Sequence, residues 1–436
     1  MKKTLVCILF LIIFTARAQQ VVKTYYPPLY KELKEEYTIL NGDSSMIDGT
    51  YKKFFEAGTL AKKGNFTKGK SNGVFEEYYE DGTLLSKITF QDGQQTGPFE
   101  VFSRSGAPIQ KGEYQFGQLE GEVTTYYEEG QVKTNSLFKQ GRLNGKNVSY
   151  YKSGSIKEEA TYINGTPMGE ANTYFETAQL ASTYTYDQGV IEGTYITYYP
   201  NGNKEWEYQY RQGYKNGPYK KYYPTGALWE EGGFVDGLLN GQVLRYFDNG
   251  KLQEKLNYQK GAKIGKNTYY YETGELMRVE EYTKLAKDAT FNEYHKNGQL
   301  RIKKTYKNGL PVGTWSQYDE SGALIEETPF REGKINGYRK YYEQGELTKR
   351  SQYISNTKRG TETTYFSSGK RKTETTYYAN KKAGNHYAYY ESGELAVKGS
   401  HRSDQKHGTW TYYDKEGEVT KTEQYNLGRL MSTSEN

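Results

Sequence analysis

The sequence predicts an all-β protein: an elongated repeat protein of about sixteen 24-residue antiparallel β-hairpin units that form a continuous twisted sheet or solenoid. Three observations support this prediction. The 436 residues include 48 Gly and 47 Tyr, close to three of each per repeat. Glycine, or alanine in its place, recurs every 24 residues from Gly49 to Gly337 and, after the loss of one residue, from Gly360 to Gly408. Aromatic residues recur at fixed distances from that glycine, and such self-similarity is typical of repeat architectures.

Residues 1–18 are predicted to be a secretory signal peptide. Two lysines precede an apolar run, residues 5–14, that is too short to span a bilayer, and the small-x-small sequence Ala16-Arg17-Ala18 follows it. We therefore expect an exported protein that is periplasmic, on the cell surface or extracellular. The only cysteine, Cys7, lies inside the apolar run, so the mature chain is expected to have no disulfide.

Residues 19–48 are predicted to be a degenerate repeat or N-terminal cap. Tyr25 and Tyr26 have the spacing of the paired aromatic residues of a repeat, which favours a capping hairpin. A short helix over residues 29–37 is the alternative. At the other end, residues 431–436 are predicted to be a polar, frayed tail.

Residues 49–430 are predicted to hold sixteen hairpin repeats. With the periodic glycine at position 0, the repeat that begins at Gly73 has Tyr78 at position 5, Leu84 at position 11 and Phe90 at position 17. Dipeptides such as Asp81-Gly82 separate these strand-forming residues, and Gly accepts the positive φ that a tight hairpin turn requires. A second turn is expected at positions 20–24, so that each repeat has two strands and two turns.

Strand parity predicts which residues form the core. If the first loop has three residues, position 5 pairs with position 11, and positions 5, 11, 13, 15 and 17 share one face. The expected core is a ladder of Tyr78, Leu84, Phe90 and their equivalents. In the repeat that begins at Gly337, the missing residue is placed before Tyr341, which then occupies position 5.

Positions 2 and 6 are then expected to form a second aromatic row on the opposite face. Such a row would present shallow, identical sites at regular spacing, so that weak contacts add up to useful avidity. The alternative is that this face is covered by curling of the sheet or by a partner copy. The candidate binding surface consists of Tyr51, Phe75, Tyr79, Tyr195, Tyr199, Tyr219, Tyr223, Trp315 and Trp410.

The charge balance excludes a general polyanion binder. The formal net charge is +6, and it falls to +3 without the three basic residues of the predicted signal peptide, so no nucleic acid is expected as a partner. One stretch is locally basic. It is interpreted as solvated turns and charged strand edges, with an anionic surface as the alternative partner. The candidate basic patch consists of Lys349, Arg350, Lys358, Arg359, Lys370, Arg371, Lys372, Lys381 and Lys382.

No enzyme, cofactor or metal site is predicted. Residues 64–71 match the phosphate-loop pattern, but periodic hairpin positions fill that segment, and a phosphate loop needs a following helix. His401 and His407 lack the carboxylates and the spacing of a zinc site. The carboxylates recur at equivalent turn positions, whereas a glycosidase needs two made distinct by their environments.

The motif Gly-x-aromatic-x-x-Tyr-Tyr-x-x-Gly-x-Leu, followed by Tyr-x-x-Gly, resembles the bacterial variant of the MORN repeat. The resemblance covers about residues 49–430. It implies an antiparallel β structure used for binding or scaffolding, with no catalytic residues to carry over. Bacterial proteins similar to this one are often labelled antitoxin components of toxin-antitoxin systems. Aromatic repeats of choline-binding and glucan-binding modules are also similar, but they usually supply one tryptophan per repeat, and this chain has four.

We therefore expect a secreted or periplasmic binding or scaffold protein whose partner is another protein. The alternatives are an envelope glycan or anionic-lipid binder, an antitoxin-like component, and a purely structural rod.

Overall fold

A computed structural model describes residues 19–29, 31–283 and 287–436. The predicted signal peptide, residues 1–18, lies outside the described residues. Over these described ranges the chain forms strands and turns without any helix, and the prediction of an all-β protein of antiparallel hairpin repeats is confirmed. No helix long and apolar enough to cross a membrane occurs in the same ranges. The described residues divide into an N-terminal part, which runs to residue 204 and includes 210–213, and a C-terminal part, which comprises 205–209 and the residues from 214 onward.

The N-terminal part contains seventeen strands among its described residues, and β18 (Lys204–Arg211) is divided between the two parts. The seventeen are β1 (Gln19–Tyr25), β2 (Leu33–Leu40), β3 (Asp43–Phe54), β4 (Leu60–Thr67), β5 (Lys70–Ser71), β6 (Gly73–Tyr78), β7 (Leu84–Gln91), β8 (Gln94–Phe102), β9 (Pro108–Gln115), β10 (Gln118–Tyr126), β11 (Val132–Lys139), β12 (Arg142–Tyr150), β13 (Ile156–Ile163), β14 (Thr166–Tyr174), β15 (Leu180–Asp187), β16 (Val190–Ile191) and β17 (Gly193–Tyr198).

The described residues of the C-terminal part continue the same alternation of strands. They form β19 (Tyr214–Tyr222), β20 (Leu228–Val235), β21 (Leu238–Leu239), β22 (Gly241–Tyr246), β23 (Leu252–Gln259), β24 (Ala262–Lys263), β25 (Gly265–Tyr270), β26 (Leu276–Thr283), β27 (Asp288–Tyr294), β28 (Leu300–Lys307), β29 (Leu310–Tyr318), β30 (Leu324–Arg331), β31 (Lys334–Ile335), β32 (Gly337–Glu343), β33 (Glu346–Ile354), β34 (Thr357–Tyr365), β35 (Arg371–Tyr378), β36 (Lys381–Tyr389), β37 (Leu395–Arg402), β38 (Gln405–Tyr413), β39 (Val419–Asn426) and β40 (Arg429–Glu435).

The first turn is the predicted three-residue loop in every repeat except the shortened one that begins at Gly337. In the repeat at Gly73, the N–H of Tyr79 donates to the carbonyl of Thr83 (2.8 Å), and the N–H of Gly82 donates to the carbonyl of Tyr79 (2.9 Å). Gly82 has a φ of 86°, the left-handed conformation that glycine adopts without a steric penalty. Tyr78 pairs with Leu84, so positions 5 and 11 are cross-strand partners as predicted.

The second turn lies one residue earlier than predicted, at positions 19 and 20. In the turn between β7 and β8, Asp92 and Gly93 both have positive φ values, 49° and 87°, as a two-residue hairpin turn requires. The periodic glycine at position 0 is not part of this turn. Instead Gly97, with a φ of 99°, lies in a bulge of β8.

The prediction that positions 5 to 17 share one face is wrong beyond position 11, because the strand after the first loop contains a bulge. Tyr78 pairs with Leu84, but its neighbour Glu77 pairs with Ser86, so one extra residue is inserted at position 12. An extra residue reverses the alternation of side chains beyond it. Positions 13, 15 and 17 therefore share a face with position 2, and we call this face the aromatic face. The opposite face carries positions 1, 3, 5, 14 and 16, and we call it the polar face.

The core lies on the aromatic face, where position 2 is the most consistently buried position. Position 15 contributes Ala160, Tyr184 and Leu256. A single hairpin cannot bury such a face, and stacking of neighbouring repeats does so here. The buried residues at position 2 are Phe75, Phe99, Val123, Ala171, Tyr219, Val243, Asn267 and Trp410.

Both ends of the described chain form strands. Tyr25 pairs with Leu33, as position 5 pairs with position 11 elsewhere, and the alternative helix over residues 29–37 is wrong because β2 begins at Leu33. Residues 431–435 belong to β40, which pairs with β39 through Lys421 and Glu435 at one end. The prediction of a frayed tail is therefore wrong for these residues.

The shortened repeat loses its residue in the first loop. Tyr342 pairs with Leu347 across the two-residue turn Gln344-Gly345. Tyr342 therefore occupies position 5, and the prediction that Tyr341 does so is wrong. The deletion does not lie within a strand, because the loss of one residue from a strand would turn the side chains beyond it to the other face.

Candidate functional site

The nine aromatic residues of the predicted binding surface do not form one row. Six of them occupy position 2 and lie on the aromatic face. Phe75, Tyr219 and Trp410 are only 3%, 2% and 3% exposed, so they are core residues and are unavailable to a partner. The interpretation of position 2 as an exposed row is therefore wrong, because the bulge at position 12 brings the position 17 aromatics against it. The other members at position 2, all partly buried, are Tyr51, Tyr195 and Trp315.

Rings at positions 2 and 17 alternate along the aromatic face. The centroid of Phe75 lies 5.4 Å from that of Phe66 and 5.1 Å from that of Phe90, both in edge-to-face geometry. In the C-terminal part, the ring of Trp315 lies 5.2 Å from Tyr306 and 4.4 Å from Phe330. Edge-to-face aromatic pairs stabilise a fold beyond the contribution of their buried area. The predicted binding residues at position 2 therefore hold neighbouring repeats together.

Position 6 side chains lie beside the first loop, where many of them connect successive repeats. The hydroxyl of Tyr79 donates to the carbonyl of Phe102 (3.0 Å), and that of Tyr223 donates to the carbonyl of Tyr246 (2.9 Å). The acceptor is the position 5 carbonyl of the next repeat. Tyr199, the third predicted residue at this position, is partly buried. The same bond is made by Tyr127, Tyr151, Tyr271 and Tyr390, and by the Nε2 atom of His295.

We expect the substitution Tyr127→Phe to lower the free energy of unfolding by about 1 kcal/mol, because it removes one hydrogen bond from a partly buried carbonyl. Urea denaturation of the purified chain measures the effect. Tyr214→Phe is the matched control, since Tyr214 is 66% exposed, and it should change stability by less than about 0.5 kcal/mol. Equal effects of the two substitutions would show that the position 6 hydroxyl does not connect repeats.

The predicted basic patch is spread over both faces and both edges of the sheet. Many of its cations lie against aromatic rings: Lys358 Nζ is 3.6 Å from the ring centroid of Tyr377, and Lys349 Nζ is 4.1 Å from that of Tyr341. Lys349, Arg350, Lys358 and Lys382 are partly buried. The exposed members are Arg359, Lys370, Arg371, Lys372 and Lys381.

Lys358 is a largely buried cation of this patch, with a side chain that is 17% exposed. It forms an ion pair with Glu362, which also accepts a hydrogen bond from Ser351 (2.6 Å). Burial acts to raise the pKa of Glu362, but the hydrogen bonds from Lys358 and Ser351 outweigh it, and the pKa is lowered overall. Lys358 is therefore committed to the aromatic face and cannot also serve a partner.

The C-terminal part contains a cation–aromatic cluster that the repeat pattern does not predict. Lys221 Nζ lies 4.2 Å from the ring centroid of Trp206 and 3.8 Å from that of Trp229, and the ring of Tyr223 stacks on Trp229 at 5.4 Å. Cations are attracted to the faces of tryptophan rings. The predicted residue Tyr223 thus belongs to a packed cluster. The sequence signal for this cluster is the occurrence of a tryptophan in each of two neighbouring repeats.

The polar face of the N-terminal part carries a groove with a volume of about 460 Å³. It is lined mainly by residues at positions 1, 3, 14 and 16 of three successive repeats, including Val74, Lys87, Pro98, Glu100 and Lys111. A smaller groove of about 210 Å³ lies at the same positions in the preceding repeat. The repeat geometry therefore produces the same shallow, charged groove more than once.

A second kind of groove lies on the aromatic face of the C-terminal part. Trp315, a predicted binding residue, lines a cleft of about 290 Å³ together with Lys304, Glu326 and Arg339. The guanidinium of Arg339 donates two hydrogen bonds of 3.0 Å to Glu326. Trp315 donates its indole N–H to the carbonyl of Thr305 (3.2 Å). The polar atoms of Trp315, Glu326 and Arg339 in this cleft are therefore already hydrogen-bonded within the chain.

Two histidines pack with a tryptophan on the aromatic face of the C-terminal part. The ring of His386 lies 5.3 Å from that of His401 and 5.2 Å from that of Trp410. Burial lowers the pKa of His386 to about 4, with smaller contributions from His401, Lys382 and Lys406. No group of three or more potential metal ligands occurs in residues 19–29, 31–283 and 287–436.

We expect the C-terminal part to lose stability as the pH falls from about 6.5 to 4. The unfolded chain binds a proton at His386 over this range and the folded chain does not, so protonation favours unfolding. The loss is about 2 kcal/mol after allowance for partial exposure. Thermal unfolding at pH 7 and pH 4.5 measures it. His386→Phe, which installs the residue found at position 2 as Phe75, should reduce the dependence, whereas His295→Tyr, outside the cluster, should not.

Residues 64–71, which match the phosphate-loop pattern, form the end of β4, a turn and β5. No helix follows them, so the backbone N–H groups of a helix N-terminus are not presented to a phosphate. A Cβ atom at Gly64 would collide with the ring of Phe75, which explains this glycine by packing.

Comparison with known proteins identifies one sequence family and several distant structures. The profile described as MORN repeat variant matches ten segments that together cover half of the chain. These are residues 47–68, 71–92, 119–140, 143–164, 191–212, 215–236, 239–260, 287–308, 311–332 and 406–427. No curated protein sequence matches the chain.

The solved structures similar to the chain include crystal structures of TcdB2-TccC3-Cdc42 and TcdB2-TccC3. The first is 12% identical with a TM-score of 0.15, and the alignment covers 95% of this chain and 26% of that chain. The second is 14% identical with a TM-score of 0.15, and it covers 94% and 23%. The chain thus spans about a quarter of the length of these chains. At TM-scores this low, neither alignment bears on fold or function.

Proposed function

Because this chain belongs to the MORN repeat variant family, we propose that it is a non-enzymatic binding or scaffold protein that acts through multivalent repeat surfaces, with another protein as its partner. The observation that carries the proposal is the recurrence of a shallow charged groove on the polar face, lined by positions 1, 3, 14 and 16 in successive repeats. Similar sites at a fixed spacing turn weak contacts into avidity, provided that the partner spans them.

The groove favours a protein partner over a small molecule. Its walls alternate cations, such as Lys87 and Lys111, with carboxylates such as Glu100 and Glu113, so both signs of charge are offered within a few residues. Mixed charge of this kind gives specificity toward a protein surface of complementary pattern. We further propose that the protein is exported, on the strength of residues 1–18. N-terminal sequencing of the protein from its source cells should then begin at Gln19.

Affinity isolation of the tagged protein from its source cells tests the partner, with mass spectrometry of proteins, lipids and glycans in the same eluate. A protein at near-equal stoichiometry supports the proposal. Enrichment of envelope glycan or anionic lipid without such a protein overturns it in favour of surface binding, and an eluate without any partner overturns it in favour of a structural role.

A matched pair of variants assigns the partner to the groove. Lys87→Glu combined with Lys111→Glu should reduce capture, because both cations line the groove. Lys139→Glu combined with Arg142→Glu makes the same charge change at a turn outside it, and capture should be unchanged. Loss of capture in both variants would show that net charge, rather than the groove, recruits the partner.

A further inference from the structure

The two edges of the hairpin sheet in the C-terminal part carry opposite charge. Because consecutive strands are antiparallel, all first loops lie at one end of the strands and all second turns at the other. We call the first the loop edge, formed by residues 223–227, 247–251, 271–275, 295–299, 319–323, 343–346, 366–370, 390–394 and 414–418. We call the second the turn edge, formed by residues 235–238, 259–262, 307–310, 331–334, 354–357, 378–381, 402–405 and 426–429.

The loop edge is acidic. Its residues include twelve Asp or Glu and four Lys, a formal charge of −8. The pair Glu391 and Glu394 is typical, since both flank one loop and both are exposed. Large aliphatic side chains are absent from the loops that define this edge.

The turn edge is basic. Its residues include seven Lys or Arg and three Asp or Glu, a formal charge of +4. Lys307, Arg331 and Lys334, which are all exposed, lie at two successive turns of this edge. Exposed apolar side chains, such as Leu238 and Leu310, each 50% exposed, lie among these cations.

The charges of both edges are available to an outside partner. The ion pairs described for the C-terminal part, such as Arg245–Glu254 and Lys406–Glu423, lie on the faces of the sheet and not at its edges. None of the ion pairs between described residues of this part includes a residue of either edge. Neither edge is therefore neutralised within the chain.

We propose that copies of this chain associate laterally, with the turn edge of one copy against the loop edge of the next. Both edges repeat once per two strands, about 10 Å, so the cations of one copy meet the carboxylates of another at the same spacing. Each copy keeps one edge of each sign free, so the contact is heterologous and leads to arrays rather than a closed dimer. The inference rests on the proposed scaffold function and names a second copy as one partner.

A second copy explains both edges, whereas an anionic lipid surface would explain only the turn edge. Such a surface would leave the charge of −8 on the loop edge without a counterpart. Complementary charge on opposite edges of one molecule is satisfied by another copy of the same molecule.

Sedimentation velocity of the purified chain tests the proposal. At about 0.01 M salt, where the Debye length is about 30 Å, we expect species larger than the monomer, and at about 1 M salt, where it is about 3 Å, we expect the monomer. A variant with Lys307→Glu, Arg331→Glu and Lys334→Glu should weaken association about tenfold or more. A control with Lys255→Glu, Lys303→Glu and Lys398→Glu makes the same charge change at exposed position 14 residues of the polar face, and it should associate like the wild type.

Charge complementation makes the test specific. A second variant, with Glu391→Lys, Glu394→Lys and Glu416→Lys, should also associate weakly alone, and an equimolar mixture with the turn-edge variant should restore association. A wild-type chain that is monomeric at low salt overturns the inference, and binding to vesicles containing phosphatidylserine under those conditions would identify a lipid surface instead. A different protein captured from cells would still support the proposed scaffold function. Failure of the lateral association can therefore be distinguished from failure of the proposed function.

Discussion

Phe75→Ala is expected to lower the free energy of unfolding of the surrounding repeats by about 3–5 kcal/mol. The side chain is 3% exposed, and its ring packs edge-to-face between Phe66 and Phe90 of neighbouring strands. Truncation removes buried apolar area and leaves a cavity that the flanking strands cannot close, since their spacing is fixed by the backbone hydrogen bonds of the sheet. Because each repeat contacts only its neighbours, the loss should be local.

Hydrogen exchange measured by mass spectrometry locates the effect. Amides of β4, β6 and β7 should exchange faster in the variant, and those of β36–β39 should not change. Phe116→Ala is the matched control, since Phe116 lies in a two-residue turn and is 72% exposed. That substitution should change stability by less than about 0.5 kcal/mol. Similar losses for Phe75 and Phe116 would contradict the assignment of position 2 to the core.

The hairpin architecture was predictable because glycine and aromatic residues recur at a fixed period. The three-residue first loop also followed from sequence, since Asp81-Gly82 is a turn signal and the loop length brings Tyr78 opposite Leu84. The bulge at position 12 was not predictable from these residues. Leu84 and Leu85 are both apolar, so the pattern does not show which one is inserted, and parity beyond them depends on that one residue.

The candidate site was less predictable than the fold, because the bulge interchanged core and surface. Strand parity without the bulge predicts an exposed aromatic row at position 2, whereas the structure places Trp410 of that row at 3% exposure. The polar groove, by contrast, is built from charged residues such as Lys87 and Glu100, which a sequence pattern cannot distinguish from ordinary solvated side chains. Their placement in one groove depends on strand register, which only the pairing supplies.

One sequence signal for the true core is the glycine that sometimes occupies position 15. This position pairs with position 2, and it is Gly where the position 2 residue is a large aromatic in several repeats. The ring then lies over the glycine backbone and takes the space of the missing side chain. Such pairs are Gly64 with Phe75, Gly112 with Phe99, Gly232 with Tyr219 and Gly399 with Trp410.

Gly232→Ala is therefore expected to lower the free energy of unfolding by about 2–3 kcal/mol through overpacking. A Cβ atom at this position would lie 2.8 Å from Val243 Cγ2 and 2.9 Å from Tyr219 Cε1, closer than real contacts allow. Neither neighbour moves easily, because Val243 and Tyr219 are 1% and 2% exposed and the Tyr219 hydroxyl donates a hydrogen bond to Glu230. Urea denaturation measures the loss, and hydrogen exchange of β19, β20 and β22 locates it.

The next residue of the same strand supplies the control. Gly233 occupies position 16, which belongs to the polar face. A Cβ atom there would lie 3.4 Å from the carbonyl oxygen of Asn240, an ordinary contact. Gly233→Ala should leave stability unchanged or raise it by a few tenths of a kcal/mol, because alanine restricts the unfolded chain. In the double variant Gly232→Ala with Val243→Ala, the smaller side chain at position 243 relieves the collision. The combined loss of stability should therefore be less than the sum of the single losses. Additive losses, or equal losses for the two glycines, would mean that steric fit between positions 2 and 15 does not hold the repeats together.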